Sequence, residues 1–523
     1  MKIVNTIGRH LLLLLALSLF SCSEADEDIV PEVNLSLSVA EMHEAGSVEL
    51  VATLSEAVKH TVTLTFAFEG SAELNRHYYV QYSSLTIAAG QESAVLPLSI
   101  YTVTNSDPIR LVVSIASVQG ALEGSSREVE LQIFKLQEEV EGVALSVKAN
   151  QQYQLIRGFG GISVPDWGNH LSTSEANLAF GVGEGQVGLS LLRLRISPDA
   201  NRFVDILDLA RQAHNMGVTL FASPWSPPAW MKTNNNVVGG SLKAENYGDY
   251  AAHLKSFIDY LAGEDIPLYA ISIQNEPDIA VDYESCDWTS AEMIAFLSEH
   301  VGDLGDVKII APESFQFRKG ISDALLNNDA AAARLDIVGG HIYGGGLEPY
   351  PLALEKGKEL WMTEHFVNEE GAITEWKEAL KTAKEIHDCM LADMSAYVYW
   401  YIRRYYGLID ENGQVSKKGY AVSNFARFVR PGARRVEVPD NPAPGIHVSA
   451  YEQEGQMVVV VLNENDKAVQ LDLEFADREV QRLETYLTSA QVDCLDMAQH
   501  SPVAGVFALE LAPSSVSTFV SLD

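Results

Sequence analysis

The sequence feature that most constrains the fold is residues 268–278, LYAISIQNEPD, where a short apolar run ends abruptly at Asn275 and Glu276. Buried parallel strands are continuous apolar runs, and in closed α/β barrels the residues at the carboxyl ends of the strands carry the chemistry. Residues 360–365, LWMTEH, repeat this pattern and contain Glu364. We therefore predict two barrel strands that each present a glutamate at the same mouth.

The surrounding chain alternates strand-like runs with helix-length amphipathic segments. Apolar residues from Tyr247 to Leu261 recur at helical spacing just before the strand at residues 268–273, which is a β/α rhythm. Strand ends that fit this rhythm fall at residues 159–161, 192–196, 219–223, 270–274, 308–311, 336–339, 360–363 and 396–399. This count is what a closed (β/α)8 barrel needs, and it places Glu276 after strand four and Glu364 after strand seven.

Segments with β-strand periodicity flank the predicted barrel. Residues 33–135 alternate apolar and polar positions in short runs, which predicts an all-β sandwich, and the alternation returns after residue 428. Residues 84–94 resemble the Calx-beta type of sandwich, but the paired acidic calcium ligands of that module are not evident, so we interpret the module as a spacer rather than a ligand-binding domain. The predicted domains are a sandwich module at 35–136, a side β-domain formed by 143–157 and 429–523, and the barrel at 158–428.

The N-terminus has the pattern of an export signal. Lys2 and Arg9 precede or flank a short apolar run at residues 11–20, and Cys22 follows. Residues 1–22 resemble a bacterial lipoprotein signal, which implies cleavage before Cys22 and lipidation of its thiol. The acidic stretch within linker 23–34 resembles the export tag of surface lipoproteins, with a solvated linker as the alternative. The resemblance implies a cell-envelope lipoprotein, anchored in the outer membrane and exposed at the surface.

The overall charge restricts the partners. The chain has 36 basic and 71 acidic residues, a formal net charge of −35. Nucleic acids and anionic lipids need basic patches, so a neutral polysaccharide is the better partner, although selection for solubility also produces acidic surfaces. Apart from Cys22, the cysteines are Cys286, Cys389 and Cys494, whose wide spacing predicts small buried side chains rather than a metal site or a disulfide framework. We expect a monomer without metal or organic cofactor.

Two glutamates at one barrel mouth suit cleavage of a glycosidic bond with retention of configuration. That reaction needs an acid to protonate the leaving oxygen and a carboxylate to attack the sugar. We predict Glu276 as the acid/base and Glu364 as the nucleophile, with Asn275 hydrogen-bonding a sugar hydroxyl. His341 and Tyr343, at the end of strand six, are predicted to orient the nucleophile, and a satisfied core histidine is the alternative for His341.

Aromatic residues near strand ends are candidates for stacking against sugar rings. Residues 223–234, SPWSPPAWMKTN, contain too many prolines for a helix or a central strand, so they predict a loop at the mouth. Trp225 and Trp400 are the strongest candidates, and Trp167 is also assigned to substrate binding. Tryptophan is more commonly a core residue, which is the alternative for each of them.

Several motifs together resemble glycoside hydrolase family 30. They lie at residues 156–161, 223–234, 274–278, 283–286, 361–365 and 400–404. The resemblance implies a retaining mechanism that uses the two glutamates assigned above. In fold class it implies α/β: a (β/α)8 barrel with a fused side β-sandwich, here preceded by a separate N-terminal all-β sandwich module.

Within the family, residues 400–407, WYIRRYYG, look most like the bacterial glucuronoxylan endoxylanases. This implies that Arg404 pairs with the glucuronate branch of xylan and that Tyr406 contacts substrate, with a structural ion pair as the alternative for Arg404. The loop at residues 366–370 departs from that subgroup, because Phe366 cannot donate a hydrogen bond and Glu369 and Glu370 would repel an anion.

The predicted function is endo-cleavage of β-1,4-xylan, with glucuronoxylan as the expected form. One alternative is another activity of the same family, such as a β-1,6-glucanase or a β-glucosidase. The other is a non-catalytic glycan-binding surface lipoprotein.

Overall fold

The computed structural model describes residues 30–43, 45–101, 108–134, 142–368 and 375–522. The predicted signal segment with Cys22, the first part of the acidic linker, and both Glu369 and Glu370 lie outside the described residues. Within the described ranges, no helix is both long enough and apolar enough to span a membrane.

The N-terminal module consists of two five-stranded sheets that face each other. In spatial order, the first sheet contains Tyr78–Tyr79, Ser93–Ile100, Gly46–Leu54, Glu32–Leu37 and Leu122–Glu123. The second sheet contains Glu41–Met42, Glu128–Ile133, Ile109–Gln119, Val62–Gly70 and Ser84–Ile87. Alternate residues of the long strands, such as Val48 and Leu50, are fully buried between the sheets, as the period-two pattern predicts.

The central domain is a closed barrel of eight parallel strands. Its strands are Gly158–Ile162, Leu191–Ile196, Thr219–Pro224, Ala270–Ser272, Lys308–Ser314, Ile337–His341, Glu359–His365 and Met394–Tyr399. All eight predicted strands are present and in the predicted order. The predicted loop at residues 223–234 begins slightly later than expected, because the third strand continues to Pro224, and it contains the short 3-10 turn Ala229–Met231.

Helices follow the strands and cover the outside of the barrel. The α-helices are Thr173–Phe180, Leu207–Asn215, Tyr247–Gly263, Ser290–Glu299, Lys319–Leu326, Asp329–Arg334, Pro351–Glu355, Glu375–Leu391 and Lys417–Ala426. Further 3-10 turns are Pro165–Trp167, Ala200–Ile206, Ala244–Asn246 and Val301–Leu304. Two helices begin with reciprocal capping boxes, Ser172 with Glu175 and Thr289 with Glu292, which satisfy the first free backbone N–H groups.

Apolar side chains fill the interior of the barrel below its mouth. They are Leu191, Phe221, Ala270, Ile310, Ile337, Trp361, Ala396 and Val398. Trp361 is fully buried and meets Phe221 edge to face, with ring centroids 5.5 Å apart. This layer closes the barrel, so polar side chains farther along the strands form the floor of an open mouth.

A second β-domain packs against the barrel and includes one strand from before it. Its nine-stranded sheet contains, in spatial order, Asp493–His500, Arg482–Ser489, Ser515–Leu522, Gln456–Asn463, Ile446–Gln453, Arg434–Glu437, Val143–Leu155, Val469–Phe475 and Val506–Leu511. One face of the sheet contributes to the core shared with the barrel, and the other face packs in a separate core cluster. The helix Lys417–Ala426 joins this domain to the barrel, where Thr518 donates a hydrogen bond to the backbone carbonyl of Asn424 at 2.8 Å.

The three described cysteines occupy separate positions in these domains. Cys286, Cys389 and Cys494 are free and buried, which agrees with their interpretation as small interior side chains.

Candidate active site

The two predicted catalytic glutamates lie together at the mouth of the barrel. Glu276 and Glu364 are 5% and 6% exposed, and a carboxylate oxygen of one lies within 4.8 Å of a carboxylate oxygen of the other. Glu276 follows the fourth strand with φ of +46°, in the left-handed region that a glutamate rarely adopts. Strained backbone of this kind concentrates at functional sites, because the surrounding structure must hold it in place.

Glu276 is held by two donors. Nδ1 of His341 lies 2.9 Å from its Oε1, and the Tyr283 hydroxyl donates to its Oε2 at 2.9 Å. The prediction that His341 orients the nucleophile is therefore wrong in its main contact, since the closest distance from His341 to Glu364 is 3.9 Å. His341 ends the sixth strand, and its ring lies between the two glutamates but nearer to Glu276.

Glu364 is held by a different pair of donors. The Tyr343 hydroxyl donates to Oε1 at 2.9 Å, and the guanidinium of Arg193 donates to Oε2. Arg193 also donates to Oδ1 of Asn275 at 2.7 Å, and to Glu313 at 3.1 Å. Because its carbonyl oxygen is occupied, Asn275 presents its NH2 group as the hydrogen-bonding group available to a ligand.

The charges of the site follow from this packing. Burial lowers the pKa of His341, but Glu364, Glu276 and Glu313 together raise it to about 9, so His341 is an imidazolium at neutral pH. Burial raises the pKa of Glu276, but the hydrogen bond and charge of His341 outweigh this effect and lower it. Burial raises the pKa of Glu364, against the opposing charges of His341 and Arg193, and the neighbouring Glu276 adds to the rise. Since the two catalytic carboxylates are so close, ionisation of one disfavours ionisation of the other.

The three groups Glu276, His341 and Glu364 also have the proximity of metal ligands, with one donor atom from each within 4.8 Å of the others. A metal-binding histidine must be neutral, because a protonated ring has no free lone pair. Nδ1 of His341 lies 2.9 Å from Oε1 of Glu276, the arrangement of a ring that shares a proton with this carboxylate.

The predicted tryptophans form one aromatic wall beside the glutamates. The ring of Trp225 is 5.5 Å from that of Trp167 and 6.0 Å from that of Trp400. Trp225 is only 2% exposed, and the guanidinium of Arg193 lies over its ring at 4.7 Å. Trp225 therefore packs against Arg193, whereas Trp167 and Trp400 leave surface for a ligand.

The chain is similar to known families and proteins in both the barrel and the second β-domain. Residues 197–311 match the model of the glycosyl hydrolase family 30 TIM-barrel domain. Residues 432–519 match the glycosyl hydrolase family 30 beta sandwich domain. The glucuronoxylanase XynC of Bacillus subtilis (strain 168) is 36% identical over 387 residues, which cover 72% of this chain and 91% of that protein.

Solved structures agree with this match. The family 30 subfamily 8 xylanase Xyn30A from Clostridium acetobutylicum is 36% identical with a TM-score of 0.69, over 73% of this chain and 100% of that one. A family 30 endoxylanase from Clostridium papyrosolvens C71 is 33% identical with a TM-score of 0.67, over 73% and 100% of the two chains. The chain belongs to glycoside hydrolase family 30. It is a glycoside hydrolase, and the paired glutamates at the barrel mouth are its candidate catalytic groups.

The loop after the eighth strand of this family 30 enzyme carries the remaining predicted substrate contacts. Arg404 is exposed, with its guanidinium 5.6 Å from the centre of the Tyr401 ring, and it forms no ion pair with any described residue. Its neighbour Arg403 pairs with Glu175 at 2.6 Å instead. Within the described chain, the alternative of a structural ion pair therefore applies to Arg403 and not to Arg404.

Phe366, the first residue of the divergent loop, has an aromatic role. Its ring stacks on Tyr406 with centroids 4.5 Å apart and meets Tyr343 edge to face at 5.8 Å. Phe366 thus lies between Tyr406 and Tyr343, which donates to Glu364, and the ring of Tyr406 is half-buried. The contacts of the Phe366 ring are therefore packing contacts with other aromatic rings.

Sequence reasoning assigned no function to Arg193, Glu313 and Tyr283, although the first two are fully buried at the site. A usable signal existed for Arg193, because a charge inside the apolar strand 192–196 must be paired when the strand is buried on both faces. Glu313 was missed because Pro312 ended the predicted strand too early.

The buried charged groups Arg193, His341, Glu276, Glu313 and Glu364 form the charged floor of the site, and Trp167, Phe366, Arg404 and Tyr406 form its rim.

Proposed function

We propose that this family 30 enzyme is a retaining endo-hydrolase of β-1,4-xylan that prefers glucuronoxylan. The observation that supports this reaction type is the short separation of Glu276 and Glu364, because a carboxylate oxygen of one lies within 4.8 Å of a carboxylate oxygen of the other. Carboxyl groups about 5–5.5 Å apart act as acid and nucleophile, whereas inverting enzymes need roughly 6.5–9.5 Å to admit a water molecule.

The two steps assign one role to each carboxylate. Glu276 gives its proton to the glycosidic oxygen while Glu364 attacks the anomeric carbon, so the leaving glycan departs with a new hydroxyl and a glycosyl-enzyme ester forms. Glu276, now ionised, then takes a proton from a water molecule that attacks the same carbon. The ester bond breaks, and both carboxylates return to their starting states.

The first step needs the proton on Glu276 and the charge on Glu364. In the substrate-free site the pKa shifts favour the reverse, because His341 stabilises ionised Glu276 while burial disfavours ionised Glu364. A sugar in the site develops positive charge at its anomeric carbon, and we infer that this charge stabilises ionised Glu364 in the transition state. The reaction therefore proceeds from the form of the site in which the single proton of the pair is on Glu276.

The xylan assignment rests on the relatives and on the rim. The relatives named glucuronoxylanase and xylanase are 33–36% identical across nearly their whole length. Arg404 offers an exposed guanidinium on the loop after the eighth strand, and a guanidinium binds a glucuronate carboxylate bidentately. Asn275 lies beside the acid and can donate its NH2 group to a sugar hydroxyl.

Product analysis tests the proposal most directly. We expect purified enzyme to release a ladder of acidic xylo-oligosaccharides from glucuronoxylan and to act much more slowly on unbranched or arabinose-substituted xylan. Equal rates on these xylans would contradict the role of glucuronate. Cleavage of β-1,6-glucan or of aryl glucosides instead of xylan would select another activity of the family.

We also propose that the protein is a monomeric surface lipoprotein whose acylated Cys22 anchors it in the outer membrane, with the N-terminal module as a spacer. The basis is the sequence pattern of residues 1–22 and the acidic residues after it. Metabolic labelling with a fatty acid analogue should mark the wild type and not Cys22→Ser. External protease should remove the enzyme from intact cells, and protection from protease would contradict surface exposure.

A further inference from the structure

The charged floor contains one carboxylate that the two-step reaction does not use. Glu313 is fully buried at the end of the fifth barrel strand, with φ of +54°. Its Oε1 accepts a hydrogen bond from Arg193 at 3.1 Å and lies 3.9 Å from Nε2 of His341. Both cations that contact the catalytic glutamates therefore also face Glu313.

The surroundings of Glu313 keep it ionised. Burial raises the pKa of Glu313, but the charges of Arg193 and His341 and the hydroxyl of Ser272 outweigh burial and lower it to about 2. Asp278, which contacts Ser314 in the same strand, is also paired with Arg318 at 3.2 Å, so this acid adds little net charge.

The charges of the floor can be counted. Arg193 and His341 contribute two positive charges, and Glu276, Glu313 and Glu364 contribute three negative charges when all are ionised. A net charge buried in a protein is unfavourable, so the floor is most stable with one proton on a carboxylate. Two cations and the Ser272 hydroxyl lower the pKa of Glu313, whereas burial and the neighbouring Glu276 raise the pKa of Glu364, so that proton belongs to the catalytic pair.

We infer that Glu313 is a positioning residue whose fixed negative charge makes the catalytic pair retain the one proton that the reaction transfers. With an uncharged group in its place, two cations and two carboxylates would balance without any proton on the pair. Glu313 would then act through Arg193 and His341 without touching substrate. This inference rests on the proposed retaining mechanism. It adds that Glu313 determines how many protons the catalytic pair holds.

Close packing around the strand explains why the charge is fixed in position. A Cβ on Gly339, in the neighbouring sixth strand, would lie 2.5 Å from Ile310 and 3.3 Å from the Glu313 side chain. Glycine at 339 therefore admits the glutamate side chain alongside the strand, and a larger residue would displace it. The main chain contributes as well, since the N–H of Glu276 donates to the carbonyl of Glu313 at 3.1 Å.

The test measures kcat/KM against pH for the wild type and Glu313→Gln on a glycoside that the wild type hydrolyses. Removal of the negative charge should move the basic limb, where the acid loses its proton, to lower pH by about one unit or more. Glu313→Asp keeps the charge but withdraws it by one methylene, so its limb should move in the same direction by less. Glu359→Gln is the matched control, because Glu359 pairs with Arg157 at the other end of the barrel. Its limb should not move.

A second readout separates proton supply from simple loss of structure. Glu313→Gln should slow substrates with poor leaving groups at least tenfold more than aryl xylobiosides with good leaving groups, since good leaving groups need little protonation. Thermal unfolding establishes that each variant is folded. If Glu313→Gln does not fold, the pH profile of Glu313→Asp serves as the test. Limbs that stay in place with a uniform loss of rate, or equal losses on both substrates, would overturn the inference. If the natural substrate is a glycan other than xylan, the proposed function is wrong, but the comparison of Glu313 variants on a hydrolysed glycoside still tests this inference.

Discussion

The charged floor and the rim of the active site differ in how they are fixed. Each charged group of the floor is buried and contacts at least one partner of opposite charge on another strand. The rim residues lie on loops, where Arg404 is exposed and Trp167 is 38% exposed. Removal of one partner from a buried ion pair destabilises a protein by about 3–5 kcal/mol, whereas an exposed pair contributes about 0–1 kcal/mol. Folding itself therefore determines the geometry of the floor, and the rim can vary with the substrate.

The largest expected effect comes from the two catalytic carboxylates of the floor. Glu364→Gln should reduce kcat on the order of 10⁴-fold or more on every glycoside, because no covalent intermediate can form. Glu276→Gln should reduce kcat about 10²–10⁴-fold on xylan but much less on aryl glycosides with good leaving groups. Steady-state rates on both substrate types check this, with circular dichroism to establish folding. If Glu276→Gln lost equal activity on both types, its role as the acid would be wrong.

A smaller effect is expected where a floor carboxylate loses one donor. Tyr343→Phe removes the hydrogen bond to Glu364, and a bond to a charged group contributes about 1.5–3 kcal/mol, so kcat should fall roughly 10- to 100-fold. Tyr397→Phe is the matched control, because the Tyr397 hydroxyl donates to Glu385 at 2.8 Å away from the site. Both variants should lose some thermal stability, but only Tyr343→Phe should lose turnover. A similar kcat loss in the control would show that packing, not the donor, matters.

The floor and the rim also differ in how far the sequence predicted them. The barrel, its strand order and the proximity of Glu276 and Glu364 followed from apolar runs that end in glutamate, because parallel strands deliver their carboxyl ends to one mouth. The partners within the floor did not follow. Which carboxylate His341 contacts depends on side-chain packing between neighbouring strands, and distances of 2.9 Å and 3.9 Å separate the two outcomes.

At the rim, motifs indicated residue types but not their neighbours. Trp225 was predicted to stack on sugar, yet its burial under Arg193 depends on a guanidinium that was not assigned to the site. Arg403 and Arg404 are adjacent in sequence, and only the loop conformation directs one to Glu175 and leaves the other exposed. Such differences arise from tertiary contacts that a sequence pattern does not contain.

The charge of His341 can be tested through pH. His341→Asn removes the cation that lowers the pKa of Glu276 and opposes the rise at Glu364, so both limbs of the kcat/KM profile should move to higher pH by about one unit. This direction is opposite to that expected for Glu313→Gln.

The charge of His341 also affects stability. The folded-state pKa of about 9 exceeds the ordinary 6.5, so the stability from His341 is present below about pH 6.5 and is lost as pH rises through 9. Thermal unfolding of the wild type should show this loss, and His341→Asn should not.

The smallest expected effect tests the rim. Arg404→Ala should lower kcat/KM on glucuronoxylan about three- to tenfold and leave linear xylo-oligosaccharides unaffected, because the guanidinium would contact only the branch carboxylate. Arg404→Lys should be intermediate, since an ammonium cannot form a bidentate pair. Because the contact is exposed, the wild-type preference for glucuronoxylan should also decrease as salt is raised, whereas rates that depend on the buried floor should not. If Arg404→Ala slowed both substrates equally, Arg404 would stabilise the loop rather than bind the glucuronate branch. The rim would then not differ from the floor at this residue in its effect on substrate specificity.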